Sequence, residues 1–271
     1  MAQPLGTVTS LHRFPVKSMR GERLTRAWLG PAGVAGDREW ALLDEQRRWA
    51  SAKADRKRWL LVDGMLDLRA RTAAELGPTT VADHRPPRDG TPPPAGPSDP
   101  SVVVVTLPDG REATAGTAEA DALLSDHLGR PLRFDRGDQG ERWGRHHDAA
   151  PVHLVTTSTL DALPGPDGSP LDPMRLRPNL VVAPAPGGPD FAEDGWIGRH
   201  LRVGDALLRV TERTERCVMT TRAQGDELPH APTVLRRIGQ ANQACAGVYL
   251  AVVEPGAVAV GDPLLAVAET A

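Results

Sequence analysis

The sequence predicts a mainly β chain with some α (α+β), and three observations carry that expectation. Short apolar runs of strand length recur from end to end, turn residues separate them, and only two stretches keep helical spacing. The runs fall at 6–11, 23–29, 39–43, 59–62, 102–107, 152–156 and 179–183, and then at 200–203, 206–211, 247–253 and 264–267. Between them stand Pro108-Asp109-Gly110, Gly204-Asp205, Pro255-Gly256 and Gly261-Asp262, where proline presets φ and glycine accepts a positive one, so several hairpins are expected. The clearer helix spans 117–128: Thr117 can cap it, Ala120, Leu123, Leu124 and Leu128 form its stripe, and Gly129 and Pro131 end it. The second spans 233–243.

A chain of 271 residues with 40% hydrophobic content can bury a core without covalent staples. The stretch 85–100 is crowded with Pro, Gly and Asp and reads as an excursion within a first domain, 1–140, that precedes a second domain, 141–271. Cys217 and Cys245 make no disulfide framework, and the opening residues lack a basic segment followed by an apolar one, so a reducing cytoplasm is the expected location. No apolar run has the length of a membrane span. A net charge of −3 gives no global pull toward nucleic acid. The local basic stretch from Arg47 to Trp59 is either a solvated face or a binding surface; its interleaved Trp49 and Trp59 could stack on bases, and a small anionic ligand fits the same residues better. Signatures of a phosphate loop, nucleophile elbow, zinc protease or paired-cysteine site are missing.

Chemistry concentrates in Arg216-Cys217-Val218-Met219-Thr220-Thr221. Cys217 is either a small buried apolar residue or a soft metal ligand and nucleophile whose ionisation the neighbouring guanidinium favours. In Arg175-Leu176-Arg177-Pro178-Asn179, Pro178 pushes Arg177 from helical angles, so an extended segment is expected. Alternation would then set Arg175, Arg177 and Asn179 on one face, suited to a phosphate or carboxylate. Lys17, Ser18, Arg20 and Gly21 follow a strand in a turn able to wrap an anion. Arg38 either pairs with Asp37 or points into a pocket. His146, His147, Asp148 and His153 read as hydrogen-bonding groups at a domain junction or, less well, as a hard-metal cluster. Glu193-Asp194 reads as a turn or cap, and Cys245 as buried and inert.

Six motifs in one order make the chain recognisable: Phe14 to Gly21, Gly36-Asp37-Arg38 with Trp40, Arg175 to Asn179, Phe191 to Trp196, Arg216 to Thr221, and Val260-Gly261-Asp262-Pro263. From about Leu5 to Val267 they resemble the MOSC family, named for the carboxy-terminal domain of molybdenum cofactor sulfurase, with its N-terminal β-barrel domain. Within it the likeness is to two-domain proteins related to mitochondrial amidoxime reducing component. That resemblance implies a MOSC-type β-barrel domain after an N-terminal β-barrel-like domain, and a bound molybdenum cofactor (Mo-molybdopterin). It implies Cys217 as metal ligand and catalytic centre, and Lys17, Ser18, Arg38, Arg177 and Asn179 around the pterin and its phosphate, with Arg216 assisting.

Three departures from the family pattern stand out: Glu215 before Arg-Cys, Arg222-Ala223 after the Thr pair, and Ser51-Ala52-Lys53 in place of Thr-x-Arg. The first two are expected beside the metal and bear on substrate identity. The activity implied is reduction of N-hydroxylated or N-oxide small molecules, with electrons from a separate redox protein, since the chain lacks cysteines for an iron–sulfur cluster and a dinucleotide fingerprint. Two other readings stay open. One is a sulfur-carrier or cofactor-maturation module using a Cys217 persulfide, with pyridoxal phosphate only on a partner desulfurase; the other is a non-catalytic carrier of the molybdenum cofactor.

Overall fold

The computed structural model describes residues 3–53, 58–72, 102–137 and 146–267, so the Pro-rich stretch 85–100 and most of the expected domain junction lie outside the described residues. The chain opens with β1 (Gln3–Arg13), β2 (Glu22–Leu24), β3 (Arg26–Gly30), β4 (Gly33–Val34), β5 (Trp40–Leu43), β6 (Trp49–Ser51) and β7 (Trp59–Leu61). It continues through β8 (Arg69–Thr72), β9 (Val103–Thr106), β10 (Glu112–Thr114), helix α1 (Ala118–His127), β11 (Arg133–Arg136), β12 (Val152–Thr156) and α2 (Thr157–Ala162). The remainder is β13 (Leu180–Pro184), β14 (His200–Val203), β15 (Ala206–Glu215), α3 (Val234–Asn242), β16 (Cys245–Glu254), β17 (Gly256–Ala259) and β18 (Pro263–Val267).

Seven strands close a barrel in the order β1-β13-β12-β16-β15-β14-β18, and β18 pairs back onto β1. The β12–β13 seam is parallel, and the chain crosses between them through α2 and a 3-10 turn at Pro173–Arg175. Closure removes the sheet edges, and the strand period of two sorts side chains between inside and outside. Val152, Leu154, Leu180, Val182, Val248 and Leu250 fill the interior, while Val155 and Val181 point outward against Leu160, Val234 and Ile238 of the helices. The same alternation sends His153 and Tyr249 outward, where they line a cleft.

The remaining strands of the first half form three smaller sheets. In one, β3 pairs with β17, so residues from both ends of the chain share hydrogen bonds there as they do in the barrel. Sheets β11-β5-β6-β7 and β10-β9-β8 enclose a separate core of Val16, Met19, Leu42, Val105, Leu124 and Phe134 among others.

Both expected helices form. The Thr117 hydroxyl accepts from Ala120 N at 3.2 Å, and Ala120 and Leu124 are the buried positions of α1. The turns at 108–110 and 204–205 join hairpins β9–β10 and β14–β15. Pro255-Gly256 and Gly261-Asp262 do not: β16 pairs with β12 and β15, β17 with β3, and β18 with β1 and β14, so both turns switch the chain between sheets. A turn residue records local backbone geometry, and pairing depends on partners remote in sequence. No described helix is long and apolar enough to cross a membrane.

Two stability predictions follow from this packing. Leu250 is fully buried in the barrel, so Leu250→Ala should cost about 2–5 kcal/mol, read from the urea midpoint at unchanged m-value. His12 is buried on β1 with Nδ1 unpartnered, and burial, reinforced by Arg23, lowers its pKa from 6.5 to about 4. The unfolded chain therefore binds the extra proton first. Stability present above about pH 6.5 should fall by about 2–3 kcal/mol as pH drops toward 4, and His12→Phe should flatten the urea-midpoint profile in that window; an unchanged slope would contradict it.

Candidate functional site

A cleft of about 330 Å3 opens on the outer face of the barrel, between the strand ends of the second half and the loops of the first. Lys17, Ser18, Arg38 and Lys53 come to it from one side, and Arg177, Asn179, Arg216 and Cys217 from the other. His153, Tyr249 and Met219 also line it, with Asp148, Glu212, Arg213 and Glu215. The seven residues that the family resemblance implies are therefore brought together, across separations of up to 200 positions in the chain.

Cys217 lies two residues beyond the end of β15 and stands at the N-cap of a 3-10 turn at Val218–Thr221. The two threonines hold that turn: the Thr220 hydroxyl donates to Cys217 O at 2.9 Å and the Thr221 hydroxyl to Val218 O at 2.7 Å. The thiol side chain is half-buried and carries no disulfide. Arg216 beside it donates to Leu176 O at 2.6 Å, while its Nε is sealed from solvent without a hydrogen-bond partner.

The 175–179 segment is not extended. Asp172 caps a 3-10 turn by accepting from Met174 N at 2.7 Å, and Arg177 takes φ of +54°. Pro178 does keep Arg177 out of the right-handed region, as expected, but the chain escapes into the left-handed one. Arg175 is consequently turned away from Arg177 and Asn179: its guanidinium donates to the carbonyls of Pro229 at 2.6 Å, Arg222 at 3.3 Å and Thr220 at 3.4 Å. It braces the loop after Cys217 and does not line the cleft. Asn179 lines the cleft, yet its amide already bridges strands, donating to His12 O at 3.3 Å and accepting from His153 N at 3.1 Å.

Arg177 and Arg38 link the two halves. Arg177 donates to Met19 O at 2.7 Å, Arg38 donates to Arg177 O at 3.2 Å, and both guanidiniums lie over the Phe14 ring, at 4.2 and 4.8 Å. Arg38 also pairs with buried Asp37, so the two expectations for it hold at once. Lys17 is buried, donates to His146 O at 2.9 Å and pairs with Asp148, which Lys53 joins at 2.6 Å. The Ser18 hydroxyl meets that of Ser51 at 3.1 Å. Ser18, Arg38 and Arg177 are three of seven described non-glycine residues with positive φ, a concentration of backbone strain that points to a working site.

The cleft's electrostatics are lopsided. Six cationic side chains line it against three acidic ones, Asp148, Glu212 and Glu215. Burial, followed by the neighbouring Arg38 charge, lowers the Arg177 pKa to about 9. Burial likewise lowers those of Lys17 and Arg216. Burial and the Arg216 and Arg38 charges hold His153 well below the ordinary imidazole range, so it is neutral. Several buried cations facing one space form a receptor for a polyanion.

Other expectations resolve differently. His146 Nε2 donates to Asp135 Oδ2 at 3.0 Å and His147 Nε2 to Ala32 O at 3.2 Å, and no group of three or more His, Cys, Asp or Glu among the described residues could hold a metal ion. Glu193 is fully buried and caps α2, accepting from the Thr159 hydroxyl at 2.7 Å and from Thr156; burial raises its pKa. Cys245 opens β16 but is half-buried, not buried, with its thiol pKa pushed up by burial. Glu215 lines the cleft, whereas Arg222 lines the cavity beside it. His153, Asp148 and Tyr249 were not assigned to an anion site from sequence, whereas Lys53 lies in the basic stretch read as fitting a small anion; nothing local marks the Lys17–Asp148–Lys53 bridge, whose partners stand up to 131 positions apart. Gly247, at φ +86°, makes room for the His153 ring, since a Cβ there would also stand 2.6 Å from Leu154 O.

Comparison with known proteins bears on this arrangement. The human mitochondrial amidoxime-reducing component 1 is 23% identical over 304 aligned positions, covering 97% of this chain and 84% of that one. Among solved structures, the YUAD protein from Bacillus subtilis superposes with a TM-score of 0.48 at 12% identity, covering 98% of each chain. YiiM from Geobacillus stearothermophilus gives 0.35 at 18% identity, over 44% of this chain and 55% of that one. Residues 5–75 match the MOSC N-terminal β-barrel domain and residues 141–265 the MOSC domain, and with both matches running in order along it, this chain belongs to the MOSC domain family.

Proposed function

We propose that the cleft holds a molybdenum cofactor and that the protein reduces N-hydroxylated or N-oxide compounds with electrons from a separate redox protein. The observation that carries this reading is the meeting of the Cys217 thiol with buried cations from both halves in one cleft. The residues fit the group: a thiolate suits a soft metal, and the unpartnered Nε of Arg216 and the cations around it suit a phosphate-bearing pterin. The name of the human relative, an amidoxime-reducing component, agrees with it.

In this reading Cys217 ligates the metal, and the 3-10 turn closed by Thr220 and Thr221 sets the direction of its sulfur. Lys17, Arg38, Arg177 and Arg216 bind the phosphate and pterin edges, with Ser18 supplying a hydroxyl. Asn179 acts by position, holding the Arg177-Pro178 turn against β1 and β12. When bound, the group supplies two-electron removal of an oxygen atom from nitrogen. For an amidoxime the balance is two electrons and two protons consumed, with an amidine and water formed. The cleft walls would orient the N–O bond.

Protein from molybdenum-fed cells should carry metal and pterin and should reduce an aryl amidoxime with a chemical reductant. Cys217→Ser should melt like the parent and lose turnover by at least about 100-fold, since even outer-shell changes at metal sites cost 10–100-fold. A sulfane-sulfur adduct on Cys217 without turnover would replace this reading with sulfur transfer; cofactor without turnover would replace it with a carrier. Separately, Arg177→Gln and Arg38→Gln should each weaken inorganic pyrophosphate binding to the cofactor-free protein about tenfold, measured by calorimetry. Unaltered affinity in both would remove the anion cradle.

A further inference from the structure

Glu212 and Glu215 line the cleft from β15, the strand that delivers Cys217, and neither has a part in the proposed cofactor site. Both side chains are exposed, and among the described residues neither carboxylate has a hydrogen bond or ion pair. The cations of the cleft are all engaged. Lys17 and Lys53 share Asp148, and Arg38 pairs with Asp37. Arg213 stands 3.1 Å from Asp194 and donates to Asn242 Oδ1 at 2.6 Å and to Gln243 Oε1 at 3.1 Å. Arg177 and Arg216 donate to the carbonyls of Met19 and Leu176 and are left to the phosphate and pterin edges of the proposed group. The two acids of β15 are therefore the charges of the cleft that nothing matches.

Their position gives them a task. β15 ends at Glu215, opposite Cys245 of β16, and Cys217 stands two residues further on. Arg216 between them does not cancel the negative charge, because its guanidinium is turned to Leu176 O at 2.6 Å. Met219 in the cleft wall and Val218, 41% exposed, add apolar surface next to the same sulfur. A molecule that reaches Cys217 from solvent meets an apolar patch and a free carboxylate together.

We infer that Glu215, with Glu212 behind it on the strand, is a specificity-determining residue for a positive charge on the substrate. The substrate class is an N-oxygenated aryl cation, its ring on Met219 and Val218 and its charged substituent toward Glu215. The N-oxygenated part rests on the proposed reduction; the preference for a cation does not. An exposed ion pair contributes little and is screened by salt, so the preference is several-fold and falls with ionic strength.

The test compares compounds of nearly equal shape that differ in charge, on protein purified from molybdenum-fed cells. Benzamidine, a cation at neutral pH, and neutral benzamide are titrated by NMR at about 20 mM salt, where benzamidine should bind about threefold to fivefold more tightly. The ratio should fall toward one in Glu215→Gln, invert in Glu215→Lys, and shrink in the parent protein at about 0.5 M salt. Equal affinity, no measurable binding of either compound, or a preference that survives in Glu215→Gln overturns the inference. In turnover, 4-(trimethylammonio)benzamidoxime should have a KM about threefold to fivefold below that of the neutral isostere 4-tert-butylbenzamidoxime, and the KM ratio should follow the same variants. Glu215-dependent binding with no turnover of either amidoxime sinks the reduction and keeps the charge selection. Turnover of both without that KM difference sinks the charge selection and keeps the reduction.

Discussion

Burial of like charges at the seam between the two halves is the constraint on which the cleft depends. Arg177 sits there in a left-handed backbone conformation, its guanidinium on the carbonyl of Met19 and against the Phe14 ring, its own carbonyl taken by Arg38. Each of these contacts joins one half of the chain to the other. Desolvating several cations around one space is unfavourable by itself, and it depresses the Arg177 pKa to about 9. An arrangement of this kind persists where the surrounding packing over-determines it and where a bound anion repays the repulsion.

That packing comes from the closed barrel. Because β1 pairs with both β13 and β18, the loop that follows it, carrying Lys17 and Ser18, is anchored to second-half strands. The strand period then turns His153 and Tyr249 to the outer face, under the loops, while their neighbours fill the interior. Arg175 extends the same logic to the loop beyond Cys217, tying three of its carbonyls from a fully buried position. The supporting parts are thus barrel and brace, and the Cys217 sulfur stands at their edge.

The departures from family pattern acquire distinct physical roles. Ser51 meets Ser18, and Lys53 shares Asp148 with Lys17, so the basic segment both braces and lines the cleft. Glu215 lines the cleft, and Arg222 lines the cavity beside it. Two residues expected side by side near the metal therefore act on different surfaces, because a single 3-10 turn reverses the chain between them.

The strand-rich character, both helices and the candidate residues at 17, 18, 38, 177, 179, 216 and 217 could be read from the sequence, since periodicity, capping residues and ordered motifs are local signals. Thr117 and Pro178 acted as their chemistry dictates. Local signals end where pairing begins: whether Pro255-Gly256 makes a hairpin or a crossing, and whether Arg175 lies beside Arg177 or behind the Cys217 loop, depends on contacts between residues far apart in the chain. The Glu215 carboxylate, unpaired among the described residues, is of that second kind, because an unmatched charge is defined by everything that fails to reach it.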